Sequence, residues 1–240
     1  MTFDWAAVPG MLPRLLHALG NTVAATFIIM AIALVAALPI ALARMSRFRL
    51  VRLPATIYVQ VLRGTPVLLQ LFYLYYVLPF AGIKLQPWPA GVIGMSAAYS
   101  AYLSEVYRAG IEAIDRGQTE AALSLGMSRI QVLRIVILPQ AFRIIIPPIA
   151  NTFIGLFKDT SLLSILTIRE LMFEGQLLAA TNFLHITIFT IIAILYLAVC
   201  WPSATLIEHL EWRMKSLPGE HAALGRWWSG WAFRSREARA

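Results

Sequence analysis

An all-α integral membrane protein, with five transmembrane helices and an N-out/C-in orientation, is the fold class this sequence predicts. Three observations predict it. Hydrophobic residues fill 59% of the 240 positions and charged residues only 13%, about half the usual globular share, with a mean hydropathy of +0.71. Charge-free runs recur along the chain, and about 20 apolar residues are enough to cross a bilayer. The basic residues collect at the ends of these runs, more heavily on one side than on the other.

The net charge of +8 therefore reads as a set of topology determinants facing anionic lipid, and its distribution argues against a nucleic-acid partner. One cysteine, Cys200, lies inside an apolar run and provides neither a disulfide framework nor a thiolate–metal cluster. The N-terminus has Asp4 and no basic cluster before its first apolar run, which is too long for a signal-peptide core. No cleavable signal is expected.

Residues 1–17 carry Asp4, Arg14 and His17, and Pro9 and Pro13 interrupt them. They are expected as an irregular extracytoplasmic segment at the interface. Residues 18–207 are expected to form the membrane domain, with a cytoplasmic loop at 109–143, followed by a basic cytoplasmic tail at 208–240. The first span draws on the stretch from Leu15 to Ala43, free of charge unless His17 protonates. Arg44, Arg47, Arg49 and Arg52 follow with no acid among them, the strongest single orientation signal in the chain. A second span is expected from near Ala55 towards Pro79, with Arg63 close to its inner end. The third lies between Trp88 and about Arg108. Residues 144–168 are apolar but interrupted by Pro147 and Pro148, and they carry Lys158 and Asp159. The last span is expected over His185 to Ile207. On this topology sixteen Lys/Arg face the cytoplasm and three (Arg14, Lys84 and Arg169) face outside. The positive-inside bias then sets the N-terminus outside and the C-terminus inside.

Asp115 to Pro139, DRGQTEAALSLGMSRIQVLRIVILP, is a polar island between these apolar segments. The Ala-rich QTEAALSL favours helix, and Gly126 suits the turn that ends it. Ser128 with Gln131 forms a capping box for a second short helix, expected to stop at Pro139. Ala121, Ala122 and Leu125 on the first helix, and Ile130, Leu133 and Ile137 on the second, would form an apolar surface. A compact module of this kind on a membrane protein is a docking site for another protein.

The island resembles the cytoplasmic "EAA" signature of ABC importer permeases: EAA, three residues, Gly, nine residues, Ile, one residue, Leu-Pro. Glu120, Ala121, Ala122, Gly126, Leu138 and Pro139 fall on it, and Val136 stands where the signature has Ile. RGTPVLLQLFYLYYVLP (Arg63–Pro79), AYLSEVYRAGIEAIDRGQTEAALSLGMS (Ala101–Ser128) and KDTSLLS (Lys158–Ser164) are similar to blocks of the polar amino acid branch of that family. That branch includes permeases for histidine, glutamine, glutamate, arginine and opines, and some for ectoine. The resemblance implies the type I ABC importer permease fold in a bacterial cytoplasmic membrane. It implies that the island is a coupling helix seated in a groove of an ATP-binding subunit. The partners it implies are two ATP-binding subunits that supply ATP and Mg chemistry, an extracytoplasmic solute-binding protein, and a second permease subunit, identical or related. Membrane lipid surrounds the whole. The chain itself is expected to hold no cofactor.

No lysine occupies the position that GxxxxGK requires, and no CxxC, HExxH or paired-His spacing exists. An ATPase, a metal centre and a hydrolase are therefore not expected, and no residue is assigned as catalytic or metal-binding. Lys158 and Asp159 are costly inside a span unless they are paired or wet. They line a solute path or gate, form ion pairs between elements, or sit near the interface. Thr160 and Ser161 can satisfy backbone carbonyls freed in a bent helix. Arg63 and Glu105 are candidates of the same kind, and Glu105 shares a helix face with Arg108. Tyr73, Tyr76 and Tyr99 read either as interfacial belt residues or as polar contacts for a solute. The function expected is transport of a polar amino acid by alternating access. A compatible solute such as ectoine, or a non-transporting membrane scaffold, are the alternatives.

Overall fold

The computed structural model describes residues 3–214, and every regular element among them is helical. The long helix α1, Val8–Arg44, has 37 residues, about 55 Å at 1.5 Å per residue. It starts before the expected boundary at residue 18. Pro9 lies in its first turn, where a missing N–H costs nothing, and Pro13 is carried in the interior. The irregular segment expected over residues 1–17 is therefore short. It is tied down, because the Asp4 N–H donates to Thr187 Oγ1 at 2.9 Å.

One face of α1 repeats Ala25, Ile29, Ala33, Ala37 and Ala41 every four residues, all fully buried. Small side chains at this spacing let two helix backbones approach closely. The partner is α4, Pro87–Glu112, which supplies Met95, Ala98 and Leu103 to the same core. Ser96, Ser100 and Ser104 are buried on α4, and Ser100 and Ser104 satisfy their hydroxyls on carbonyls of their own helix. Neighbouring helices shield α4, so it tolerates the Ser, Gly and Tyr content that lowers its hydropathy.

Between them, α2 (Arg49–Gly64) and the stretch Val67–Ala81, which opens as α3 (Val67–Phe72), meet at a 106° bend. The second span expected from near Ala55 towards Pro79 is therefore not one straight helix. Pro66 drives Thr65 out of the helical region, to φ −116° and ψ 144°, and the helix ends at Gly64. Beyond α3 the chain widens into a π-helical stretch, Tyr73–Val77, and tightens into a 3₁₀ turn, Leu78–Ala81.

The island folds as α5 (Arg116–Ser124), a turn, and α6 (Arg129–Gln131) running into a π-helical stretch, Val132–Ile137. α7 continues directly as Leu138–Asp159. The stop expected at Pro139 does not occur, because Pro139 sits in the first turn of α7 after the hydrogen bonds have already shifted register in the π-helical stretch. Pro147 and Pro148 also lie inside α7 without ending it, although each removes a backbone N–H donor and crowds the carbonyl four residues back. A 3₁₀ segment, Thr160–Leu166, follows.

Helix α8, Leu171–Asn182, was hidden within the apolar run before the last span, and α9 begins at His185 and is described to Met214. The chain enters α8 after Thr167 at φ 59° and leaves it through Phe183 at φ 57°. At 12 residues, about 18 Å, α8 is too short to cross a bilayer. It packs hard on α9, where a Cβ at Gly175 would lie 1.9 Å from Ile192 Cδ1. Among the described residues three helical stretches are long and apolar enough to cross a membrane: α1, Arg129–Leu166 and His185–His209. The bent α2–α3 pair makes a fourth if it counts as one span. The basic tail expected at 208–240 lies mostly outside the described residues.

Candidate functional site

Two regions gather the residues singled out above. The first is a polar ladder along α4. Asp159, at the end of α7, accepts a hydrogen bond from the Tyr99 hydroxyl at 2.8 Å. The Tyr99 ring lies 6.1 Å from that of Tyr102. The Arg63 guanidinium sits 5.6 Å from the Tyr102 ring centre, within cation–π range. Arg63 then reaches Glu105 at 3.9 Å.

Glu105 is the hub of an ionic network at this end of α4. Arg44 at the end of α1 and Arg108 one turn on both contact its carboxylate directly, and Arg108 also contacts Glu112. The pairing of Arg63 with Glu105 that the spacing allowed is thus present, but it is the longest contact in the set. The part played by Arg44 could not be read from a sequence separation of 61 residues. Its only signal was a lone carboxylate near the inner end of a span, which demands a partner.

The adjacent charges of the fourth apolar segment do different things. Asp159 turns to α4, whereas Lys158 is exposed and makes no ion pair among the described residues. Thr160 is buried and donates to the Phe157 carbonyl at 2.6 Å, and the Ser161 carbonyl accepts from the Ser164 hydroxyl at 2.7 Å. Tyr76 donates its hydroxyl to the Ile165 carbonyl at 3.0 Å, while Tyr73 is 61% exposed. Tyr99 is buried, so the open part of the ladder is at Tyr102 and Arg63.

The second region is the island. Asp115 caps α5 by accepting from the Gly117 N–H at 2.6 Å. The C-terminus of α5 closes through paired bonds: Gly126 N–H to the Leu123 carbonyl and Met127 N–H to the Ala122 carbonyl. This is a Schellman motif, and it requires the left-handed conformation that Gly126 adopts at φ 79°. The capping box expected at Ser128 forms in both directions, with Ser128 N–H on Gln131 Oε1 and Gln131 N–H on Ser128 Oγ.

Ala122, Val132 and Ile137 make a small core for the island, supported by Ile111, Ile114 and Met127. Ala122 and Ile137 are therefore turned inward and are not part of an outward apolar surface, because the two short helices have nothing else to pack on. Ala121, Leu125, Ile130 and Leu133 do face outward, Leu125 at 83% exposure. Glu120 is exposed, Leu138 half-buried and Pro139 exposed. Between the island and the C-terminal ends of α1 and α4 lies a cleft of about 780 Å³, lined among others by Met45, Glu112, Arg116 and Leu133. Among the described residues no group of three His, Cys, Asp or Glu side chains is placed to hold a metal ion.

Residues 29–216 match the family of binding-protein-dependent transport system inner membrane components. The probable amino-acid ABC transporter permease protein YckA of Bacillus subtilis is 38% identical over 199 residues, 83% of this chain and 88% of YckA. The L-cystine transport system permease protein TcyB of the same organism is 41% identical over 190 residues, 79% of this chain and 81% of TcyB. The glutamine transport system permease protein GlnP of Escherichia coli is 34% identical over 219 residues, 90% of this chain and all of GlnP. Among solved structures, a chain of an amino acid ABC transporter crystallised with histidines superposes with a TM-score of 0.85 at 34% identity. It covers 89% of this chain and 100% of that one. An inward-facing MetNI methionine ABC transporter chain shares the fold at a TM-score of 0.66 and 16% identity, over 84% of this chain and 98% of that one.

Proposed function

The chain belongs to the binding-protein-dependent transport system inner membrane components, and from that membership we propose that it carries a polar amino acid inward by alternating access. It is a multi-pass membrane subunit of an ABC importer with the all-α type I permease fold, it is not an enzyme, and a separate ATPase drives it. The relatives whose names specify cystine and glutamine support an amino acid as the solute.

The observation that carries the coupling part of the reading is the island itself. Two short helices are held by a full set of caps around a three-residue core, with Leu125, Ile130 and Leu133 left outward. Glu120, Ala121, Ala122, Gly126, Leu138 and Pro139 form or brace this docking element for the ATP-binding subunit. Two copies of that subunit hydrolyse ATP with Mg, a second permease chain completes the path, and a solute-binding protein delivers the solute from outside. Five spans with N-out/C-in fit the sixteen-to-three basic bias. They are α1, the bent α2–α3 pair, α4, the α6–α7 stretch and α9. α4 counts as a span because other helices cover its polar face. The domain reading follows: a short outer segment, a membrane domain to residue 207 with its loop at 109–143, and a basic inner tail.

The path runs along α4. Arg63, Glu105, Tyr99 and Asp159 form its polar ladder, Tyr73 and Tyr76 lie in the π-helical stretch after α3, and Lys158, Thr160 and Ser161 mark the end of α7. The chain does no covalent chemistry. It exchanges one conformational equilibrium for another as its partners bind and release ATP.

Uptake and ATP hydrolysis in proteoliposomes carrying this chain, its ATPase and its binding protein test the reading. Against a panel of amino acids and ectoine, solute-dependent hydrolysis and uptake are expected. Both should fall at least about tenfold in Leu125→Asp, which puts a charge into the buried centre of the docking contact. Activity indifferent to Leu125→Asp and Glu120→Ala would sink the coupling assignment. Uptake of ectoine alone would replace the solute class.

A further inference from the structure

We propose that Arg63 is a carboxylate-recognition point on the transport path, where its guanidinium, braced on one side by the Tyr102 ring, holds the acid group of the transported solute. The proposal rests on the amino-acid reading above. Three observations carry it. The ionic network joins Arg44, Arg63 and Arg108 to Glu105 and Glu112, so it holds one positive charge more than it can neutralise. The excess falls on Arg63, because Arg44 and Arg108 contact the Glu105 carboxylate directly while Arg63 stands off at 3.9 Å. The Arg63 side chain is also the more open of the three guanidinium groups that share Glu105, at 42% against 14% for Arg44 and 28% for Arg108.

An exposed guanidinium in a membrane domain needs an anion or water, and its planar fork matches a carboxylate in two parallel hydrogen bonds. Tyr102 lies under it at 5.6 Å and is itself 37% exposed. One face of the guanidinium is therefore covered by the ring and the other is left open. Gly64 and the bend after it place Arg63 at the last residue but one of α2, on the rim of the helix break, and not along a continuous helix face. Asp159, at the far end of the same ladder, supplies the opposite charge for an ammonium group. A zwitterion moving along α4 thus meets one fixed partner for each of its charges. A lipid phosphate offers Arg63 a similar anion, and the test separates the two.

The assay is uptake of radiolabelled L-glutamine, L-histidine and L-cystine per ATP hydrolysed, by the full complex in proteoliposomes with saturating binding protein. A wild-type complex that moves none of the three refutes the solute class itself. With wild-type uptake present, Arg63→Gln is expected to lower uptake per ATP about tenfold or more, the loss of one charge-assisted contact. Arg63→Lys should restore part of the ratio. A wild-type ratio in Arg63→Gln overturns the proposal. So does a deficit that appears with phosphatidylglycerol in the bilayer and vanishes in phosphatidylcholine alone, which assigns Arg63 to a lipid headgroup. If Arg63→Gln does not assemble, Tyr102→Leu serves, since Tyr102 makes no ion pair itself and meets the network only through its ring contact with Arg63. There a several-fold fall in uptake per ATP supports the proposal and an unchanged ratio overturns it.

Discussion

Glu170 is fully buried, yet it is a carboxylate. It caps α8, accepting from Phe173 N–H at 2.7 Å and Met172 N–H at 2.9 Å, and the Tyr196 hydroxyl reaches it at 3.3 Å. Burial outweighs these donors and pushes its pKa up to about 7. The sign follows from proton counting. Between the unfolded carboxylate value of about 4.3 and about 7 the folded chain holds the proton and the unfolded chain does not. Stability therefore falls as pH rises through that window and levels off above it. Thermal unfolding in detergent should show this slope in the wild type and a flatter one in Glu170→Gln, whose amide cannot ionise. Equal slopes would show that the carboxylate is solvated.

At the scale of elements, the α2–α3 bend rests on one side chain. Pro66 breaks the helix and frees carbonyls, and the Gln70 amide collects them, donating to the Leu62 carbonyl at 2.8 Å and the Thr65 carbonyl at 3.0 Å. Gln70→Met keeps the volume and removes the donor. Stranding these carbonyls costs about 1–3 kcal/mol each where water is excluded, so the unfolding temperature should drop by several degrees. An unchanged temperature would mean that packing of Leu71 and Leu74 against Gly94, where a Cβ would stand 2.8 Å from Leu71 Cδ2, holds the bend alone. The same scale explains α8. Its boundaries carry no Pro or typical Gly stop, and its C-terminal left-handed residue is Phe183. Glu170 caps its start, but nothing local marks its end within the uncharged run that continues into α9.

For the whole molecule, the orientation is open to direct test. In a Cys200→Ala background, Trp5→Cys (76% exposed) and Leu125→Cys (83% exposed) mark the two sides. A membrane-impermeant maleimide should label the first in intact cells and the second only in inverted vesicles. Labelling of Leu125→Cys from outside would reverse the topology. By itself the sequence determined the membrane class, the island with its caps, and the presence of charges within spans. Each of these rests on local spacing or on transfer energy summed along one segment. Only the tertiary structure decided which charges meet. Arg44 joining Glu105, Tyr99 joining Asp159 and Glu170 enclosed by α8 and α9 are encounters between residues 26 to 61 positions apart. Local propensity carries no record of such pairs, because they follow from how helices pack.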